Sequence, residues 1–362
     1  MRCARLSPGP DPAVQGGTRS CCETVVLRRW CRQAKLAGTG TKVLQGNSRA
    51  EAWQGNLVRV SDQAENRQMK TALRRGARGY LVERLQEALG DLRCDGVFGW
   101  RTEDAVRSLQ GRLGLTADGA ADAAVWRGVG LDWPDEFERC LSLTGAFEGT
   151  GFSGCNATDI DGAGLTVGIA GFTTASGEVQ RLVAEFVRRV PEPLALLSPD
   201  RRAALLALAE GRSDRAAWER FVFGASGRLS ADVRALFAAW GEHPVVQAIQ
   251  RAYVRSRFWD PALKSALRLG LRTMAARGFM LDVWVQNGGW RAAHEAVFRA
   301  ADRPEAPEPL RLRHAARAVA SQARARWRED VLARKLVFAA GAGTVHGVRY
   351  ALDAFGFSRG PV

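Results

Sequence analysis

One stretch of the chain, Phe147–Thr174, restricts the local fold more than any other. Apolar residues alternate with small and polar ones along it, and this pattern predicts a β-hairpin rather than a helix. The stretch is also dense in glycine, which is favoured where another backbone or a ligand must approach closely. Its glycines include Gly149, Gly151, Gly154, Gly162, Gly164, Gly168 and Gly171. We therefore expect a tight hairpin whose backbone lies close to another group.

Two carboxylates accompany this hairpin. The preceding segment Asp135–Thr144 has its apolar residues on one stripe and predicts a helix, and Glu148 falls where that helix would end. Asp161 lies at the first turn of the hairpin, close after Asp159. Either carboxylate alone is more often a solvated helix end or an ordinary Asp-Gly turn. Together they fit the cleavage of a glycosidic bond, which needs a protonated acid on one side and an ionised carboxylate on the other.

These residues carry a family resemblance. Glu148, the run Asp-Gly-Ala-Gly-Leu-Thr that begins at Asp161, and Gly-Phe-Thr-Thr from Gly171 resemble the catalytic opening of the inverting chitosanases, glycoside hydrolases in the lysozyme-like superfamily. The resemblance implies that Glu148 is the general acid and Asp161 the general base, and that Thr166 helps to hold the attacking water. It implies no metal and no cofactor.

A second, looser part of this resemblance lies nearer the C-terminus. The segment Phe279–Trp290 reads as an apolar helix interrupted by Asp282, and a carboxylate on an apolar face needs a partner. Arg334, on a later helix, could supply one. The family implies a buried Asp and Arg network behind the catalytic Glu, which falls here on Asp282 and Arg334, with Arg317 or Arg324 open as a second arginine. An ordinary buried ion pair is the alternative interpretation.

Residues 73–130 predict a compact three-helix module. Leu81, Val82, Leu85 and Leu89 share one helix face that ends at Gly90. We expect Thr102 to cap a second helix and Val125-Trp126 to begin a third. The ordered motifs L-R-x-G-x-x-G, V-x-x-L-Q, D-G-x-F-G-x-x-T and A-V-x-x-L-Q resemble the type 1 peptidoglycan-binding domain over almost its full length. The resemblance implies a cell-wall glycopeptide ligand.

Charge and composition bound the partners. The 362 residues carry a formal net charge of +14, mostly from arginine, which favours a polyanionic partner. Without a nucleic-acid-binding motif, we expect the cell envelope rather than nucleic acid. No apolar run is long enough for a membrane span. The four scattered histidines argue against a zinc peptidase, and the loop Gly341–Gly347 carries His346, which we interpret as structural.

We therefore expect three parts. Residues 1–68 predict a disordered tail without a signal peptide, or a stretch upstream of a true start at Met69. Residues 69–130 predict the peptidoglycan-binding domain, and residues 135–362 a lysozyme-like glycoside hydrolase domain. The expected fold class is mainly α, with a small three-helix module and a lysozyme-like α+β domain that holds one small hairpin sheet.

The expected function is hydrolysis of β-1,4-glycosidic bonds in peptidoglycan by an inverting two-carboxylate mechanism. The partner is then peptidoglycan or a related amino-sugar polymer, and we expect a monomer that acts at the cell wall or outside the cell. Chitosan is the alternative substrate, although an arginine-rich protein is a poor match for a polycation. The alternative without catalysis is a wall-binding protein that keeps a degenerate hydrolase fold.

Overall fold

The computed structural model describes residues 71–149, 151–158, 163–211, 215–223 and 228–358. The predictions made for residues 1–68, for Met69 as a start, and for Asp159 and Asp161 lie outside these described residues.

The N-terminal part of the described chain is a small helical module. Two short antiparallel strands close it, with Ala72 opposite Asp122. Its elements are β1 (Ala72–Leu73), α1 (Tyr80–Leu89), α2 (Trp100–Arg112), β2 (Ala121–Asp122) and α3 (Ala123–Gly128). The predicted end of the first helix is confirmed, because Gly90 caps α1 with a φ of 69°.

The predicted cap of the second helix was wrong. Helix α2 begins at Trp100 with Gly99 as its N-cap, and Thr102 lies inside the helix and is buried. The Thr102 hydroxyl accepts a hydrogen bond from Gln86 Nε2 of α1 at 3.0 Å. The side chain therefore joins the two helices instead of capping one of them.

The rest of the described chain is dominated by helices. Helix α4 leads into a three-stranded antiparallel sheet in the order β3–β4–β5, with Thr158 paired to Gly164. These elements are α4 (Glu136–Glu148), β3 (Cys155–Thr158), β4 (Gly164–Val167) and β5 (Phe172–Thr173). The helices that follow are α5 (Glu178–Arg189), α6 (Pro199–Ala209), α7 (Arg215–Phe223), α8 (Ala231–Glu242) and α9 (Pro244–Val254).

A π-helical turn (Arg255–Trp259) joins α9 to the C-terminal half. That half contains α10 (Asp260–Arg268), α11 (Met274–Asn287), α12 (Ala292–Ala301), α13 (Glu308–Ser321), α14 (Arg328–Ala340), β6 (Ala342–Val345) and β7 (Val348–Ala351). Helix α11 packs against α4, α10 and α14, and α14 packs against α13. The centre of the core therefore lies directly behind the end of α4.

The expected fold class, mainly α with small sheets, is confirmed. The predicted hairpin sheet is present as β3–β4–β5, and the described residues add the two-stranded sheets β1–β2 and β6–β7. None of the helices in the described part of the chain combines the length and the apolar character needed to cross a membrane.

The small module is packed directly against the helical remainder. The Tyr80 hydroxyl donates hydrogen bonds to the backbone carbonyl and the carboxylate of Glu138 in α4, at 2.9 and 2.5 Å. The Tyr80 ring also meets the ring of Phe152 edge-on, with centroids 5.1 Å apart. On the other side, Leu73 bridges to Phe355 near the C-terminus of the described chain. Contacts at two separate places hold the module in one orientation.

Gly241 allows α8 to lie against the backbone that follows Glu148. A β-carbon at position 241 would be 2.2 Å from Ser153 Cα and 2.5 Å from the Phe152 carbonyl oxygen. Because backbone atoms cannot move aside as a side chain can, we expect Gly241→Ala to lower the free energy of unfolding by about 1–3 kcal/mol. Urea denaturation measures the change.

The control for this variant is Gly111→Ala in α2, where nothing lies within 4 Å of the added carbon. In a helix, alanine is favoured over glycine by roughly 0.5–1 kcal/mol, so this variant should be slightly more stable than wild type. Equal effects of the two variants would contradict the close approach at Gly241.

Candidate active site

Glu148 is the last helical residue of α4. The helix ends there because Gly149 adopts a left-handed conformation, with a φ of 72°, and donates its N–H to the Gly145 carbonyl. The neighbouring Phe147 is buried and packs edge-on against the rings of Tyr350 and Phe338, at 4.8 and 6.0 Å. The Glu148 side chain keeps 24% of its surface exposed. The carboxylate is therefore anchored at the helix end but open to a ligand.

A buried group of charges lies behind this carboxylate. Arg334 Nη2 donates to Glu148 Oε1 at 2.9 Å and to Asp282 Oδ1 at 2.5 Å. Lys335 Nζ donates to Asp282 Oδ2 and to the Asp282 carbonyl. We call Glu148, Arg334, Asp282 and Lys335 the Glu148 cluster. Its three inner side chains, Arg334, Asp282 and Lys335, are between 0 and 4% exposed.

The electrostatics of the Glu148 cluster follow from burial and close opposite charges. Burial alone would raise the pKa of Asp282, but the charges of Arg334 and Lys335 outweigh it and hold that pKa below the usual 3.8. Burial would lower the pKa of Arg334, and the two carboxylates reverse this and raise it. For Lys335, burial prevails over the attraction of Asp282 and lowers the pKa to about 8. Arg334 therefore remains a cation beside Glu148 at any working pH.

The sheet brings Thr166 to the same place as Glu148. Gly171, just before β5, has a φ of 62°. A β-carbon there would lie 3.4 Å from Glu148 Oε2 and 3.6 Å from Thr166 Cγ2. Glu148 and Thr166 therefore both lie next to Gly171. The left-handed φ of Gly171 favours glycine there, whereas the two distances are ordinary van der Waals contacts.

Gln250 fixes the sheet relative to α4, and sequence reasoning missed it. It is 2% exposed; its Oε1 accepts from the Ile169 N–H at 3.0 Å, and its Nε2 donates to the Phe152 carbonyl at 3.1 Å. One amide therefore holds the segment that leaves α4 and the segment that follows β4. A polar side chain on the buried face of α9 was the available signal.

The structure brings together four of the five predicted site residues. Glu148, Arg334 and Asp282 are hydrogen-bonded in series, Thr166 lies beside Gly171, and Asp161 is outside the described residues. Arg317 and Arg324, the two candidates left open for a second arginine, are both exposed. The second cation on Asp282 is Lys335, the residue after Arg334.

Neither a metal nor a thiol site emerges from the described residues. They hold no group of three or more His, Cys, Asp or Glu side chains that could bind a metal ion. Cys94, Cys140 and Cys155 are free thiols, and burial raises the pKa of Cys155 to about 12, so its thiol stays protonated.

Two family models match the chain. Residues 77–127 match the model described as putative peptidoglycan binding domain, and residues 155–309 match glycosyl hydrolase family 46. One segment of the chain thus matches a peptidoglycan-binding domain, and a later segment matches glycosyl hydrolase family 46. Both resemblances expected from the sequence are confirmed by these matches. The family 46 match includes Asp161, Thr166 and Asp282, whereas Glu148 and Arg334 lie on either side of it.

Individual relatives carry the name chitosanase. The chitosanase of Bacillus subtilis (strain 168) is 29% identical over 167 compared positions, and the match covers 42% of this chain and 52% of that protein. The chain therefore spans about half the length of this relative.

Two solved structures are similar to part of the chain. The native chitosanase from Bacillus subtilis MY002 is 20% identical, with a TM-score of 0.45, over 60% of this chain and 98% of the other. A family 46 chitosanase from Gynuella sunshinyii in complex with chitotetraose is 16% identical, with a TM-score of 0.44, over 61% and 99%.

Proposed function

We propose that the chain hydrolyses β-1,4-glycosidic bonds in an amino-sugar polymer. The observation that carries the proposal is the geometry of Glu148, a partly exposed carboxylate at a helix end, held from behind by a buried arginine. The family 46 match of residues 155–309 supports it. In this proposal Glu148 protonates the oxygen of the leaving sugar.

The other half of the mechanism rests on the family resemblance. Asp161 is the proposed general base, and Thr166 the residue that helps to hold the attacking water. In support of that role, the Thr166 side chain and the Glu148 carboxylate both lie near the same glycine, Gly171. An inverting reaction of this kind releases the α-anomer from a β-linked polymer. NMR of freshly released product tests this, and an initial β-anomer would contradict it.

Peptidoglycan glycan strands are the first proposed substrate, because the peptidoglycan-binding domain is part of the same chain. Chitosan is the second, because the B. subtilis relative is a chitosanase. The net charge of the chain discriminates between these two substrates less well than the total of +14 suggests. Residues 1–70 hold twelve basic and five acidic residues, and thus half of that net charge. Either substrate places the enzyme at the cell wall or outside the cell.

A substrate comparison distinguishes the two candidates. The full chain is incubated with purified peptidoglycan and with chitosans of increasing N-acetyl content, and new reducing ends are counted. We expect peptidoglycan to be cleaved, and the rate on chitosan to rise with N-acetylation, because peptidoglycan sugars are N-acetylated and uncharged at that position. If the rate on chitosan falls with N-acetylation and peptidoglycan is not cleaved, chitosan is favoured as the substrate. Binding to peptidoglycan without cleavage of either polymer would leave a wall-binding protein.

A further inference from the structure

The Glu148 cluster does not end at Lys335. The Lys335 ammonium donates a further hydrogen bond to Gln286 Oε1, at 2.8 Å. The other end of that amide, Gln286 Nε2, donates to Asp330 Oδ2 at 3.2 Å. The second oxygen of Asp330 meets His346 Nε2 at 2.6 Å. Hydrogen bonds therefore connect the half-buried carboxylate of Glu148 to Asp330 in series, and this close contact extends the series to His346, an exposed residue of the hairpin β6–β7.

The helical spacing accounts for this series. Asp282 and Gln286 are four residues apart on α11, and Asp330 and Arg334 are four apart on α14, so each pair shares one helix face. The two faces meet where α11 packs against α14. Asp330 also lies in the first turn of α14, where a negative charge is favourable.

We propose that Asp330 and His346 are positioning residues for Glu148. They act through Gln286, whose side chain presents an oxygen at one end and an NH2 group at the other. The Asp330 carboxylate can only accept hydrogen bonds, so it orients the NH2 group of Gln286 toward itself and the amide oxygen toward Lys335. With Asp330 replaced by a neutral residue, the NH2 end of the amide loses its anionic acceptor, and the Gln286 side chain can shift away from the Lys335 ammonium. Lys335 then loses one of its three acceptors, and Asp282 and Arg334 shift with it.

The position of His346 provides independent support. It is the first residue of a two-residue turn between the paired Val345 and Val348, and its φ is 49°. Such turns need left-handed residues at both central positions, and Asn, Asp or Gly usually fill them. His346 adopts this left-handed conformation while its ring nitrogen Nε2 contacts Asp330. Both carboxylate oxygens of Asp330 are therefore engaged, one by His346 and one by Gln286.

The test uses two variants and a matched control for each. Asp330→Asn removes the fixed acceptor, and Glu329→Gln removes the neighbouring charge from the same helix turn. His346→Asn keeps a residue suited to the turn but is too short to hold Asp330, and Arg349→Gln changes an exposed residue of the same hairpin.

The inference rests on the proposed function, because it takes Glu148 as the acid. We expect both test variants to lower kcat roughly 10-fold at unchanged KM, within the loss of up to about 10²-fold that a 1 Å misplacement can cause.

Wild-type kcat in both test variants, or equal losses in the two controls, would overturn the inference. A measurement that needs no substrate separates it from the proposed function. The buried Lys335 ammonium should give a slowly exchanging NMR signal in wild type, and this signal should weaken or vanish in Asp330→Asn and His346→Asn. If the protein cleaves no polymer, the proposed function fails while this signal still decides the inference: an unchanged signal in folded His346→Asn protein overturns it.

Discussion

Glu148→Gln is expected to abolish most of the hydrolytic activity while leaving the fold intact. Glutamine keeps the size of the side chain and an oxygen that can accept from Arg334, but it has no proton to give to the leaving oxygen. General acid catalysis contributes about 10²–10⁴-fold, so kcat on the cleaved polymer should fall by that factor. Counting reducing ends over long incubations resolves a loss of this size.

The control removes a carboxylate of the same kind from the surface. Glu185 on α5 is 46% exposed and is paired with Arg188 one turn away, so Glu185→Gln should leave kcat unchanged. Binding of Glu148→Gln to peptidoglycan should also match wild type, because the binding domain is untouched. A Glu148→Gln protein with wild-type kcat would show that another group supplies the proton.

The largest effect on stability is expected from Asp282→Asn. This change leaves Arg334 and Lys335 buried with only Glu148 as a counter-charge, and breaking a buried ion pair by removing one partner costs about 3–5 kcal/mol. Urea denaturation should show that loss at neutral pH. The double variant Asp282→Asn, Lys335→Met removes one of the stranded charges as well, and should recover part of it.

The same stabilisation should depend on pH in a known direction. Asp282 has its pKa lowered by the two cations, so in acid the unfolded chain takes up this proton before the folded protein does. The free energy of unfolding therefore falls as pH drops below about 4, and wild type should approach Asp282→Asn in stability there. A constant difference between the two proteins from pH 7 to pH 3 would contradict this account.

Asp302→Asn serves as a comparison within the same chain. Asp302 pairs with the buried Arg311, but that arginine also donates to the carbonyls of Leu269 and Gly270. Asp302→Asn leaves one buried cation, which keeps two carbonyl acceptors, whereas Asp282→Asn leaves two buried cations. The first change therefore costs less free energy of unfolding. We therefore expect a smaller loss for Asp302→Asn, and an equal or larger one would mean that the Glu148 cluster stabilises little.

The parts of the site that sequence could predict depend on local pattern. Glu148 was expected at a helix end because it follows the apolar stripe of Asp135–Thr144, and α4 does end at Glu148. The need of Asp282 for a partner followed from one carboxylate in an apolar helix, since an unpaired charge is not tolerated there. The hairpin followed from alternation and glycine.

The parts that sequence could not predict depend on contacts between distant segments. Arg334 meets Glu148 across 186 positions, and no local rule decides whether Lys335 or a more distant arginine completes the pairing with Asp282. Gln250 was missed for the same reason, because its partners lie on other elements. His346 was interpreted as structural from its loop, and its contact with Asp330 on α14 could not be read from the local sequence. Thr102 was misassigned as a cap because the side chain that claims its hydroxyl is on a different helix.

The seating of the small module on α4 has a consequence for where bonds are cut. When a binding module is joined to an enzyme by a flexible linker, the enzyme can reach every bond of the polymer within the length of that linker. Here Tyr80 and the Leu73–Phe355 bridge hold the module in place, so the anchoring surface and Glu148 keep one fixed offset. Under the proposed function, each anchoring event exposes only the bonds at that offset, and the enzyme must detach before it can cut elsewhere. Early digests should then contain fragments of a narrow range of lengths, set by the distance between the anchoring surface and Glu148.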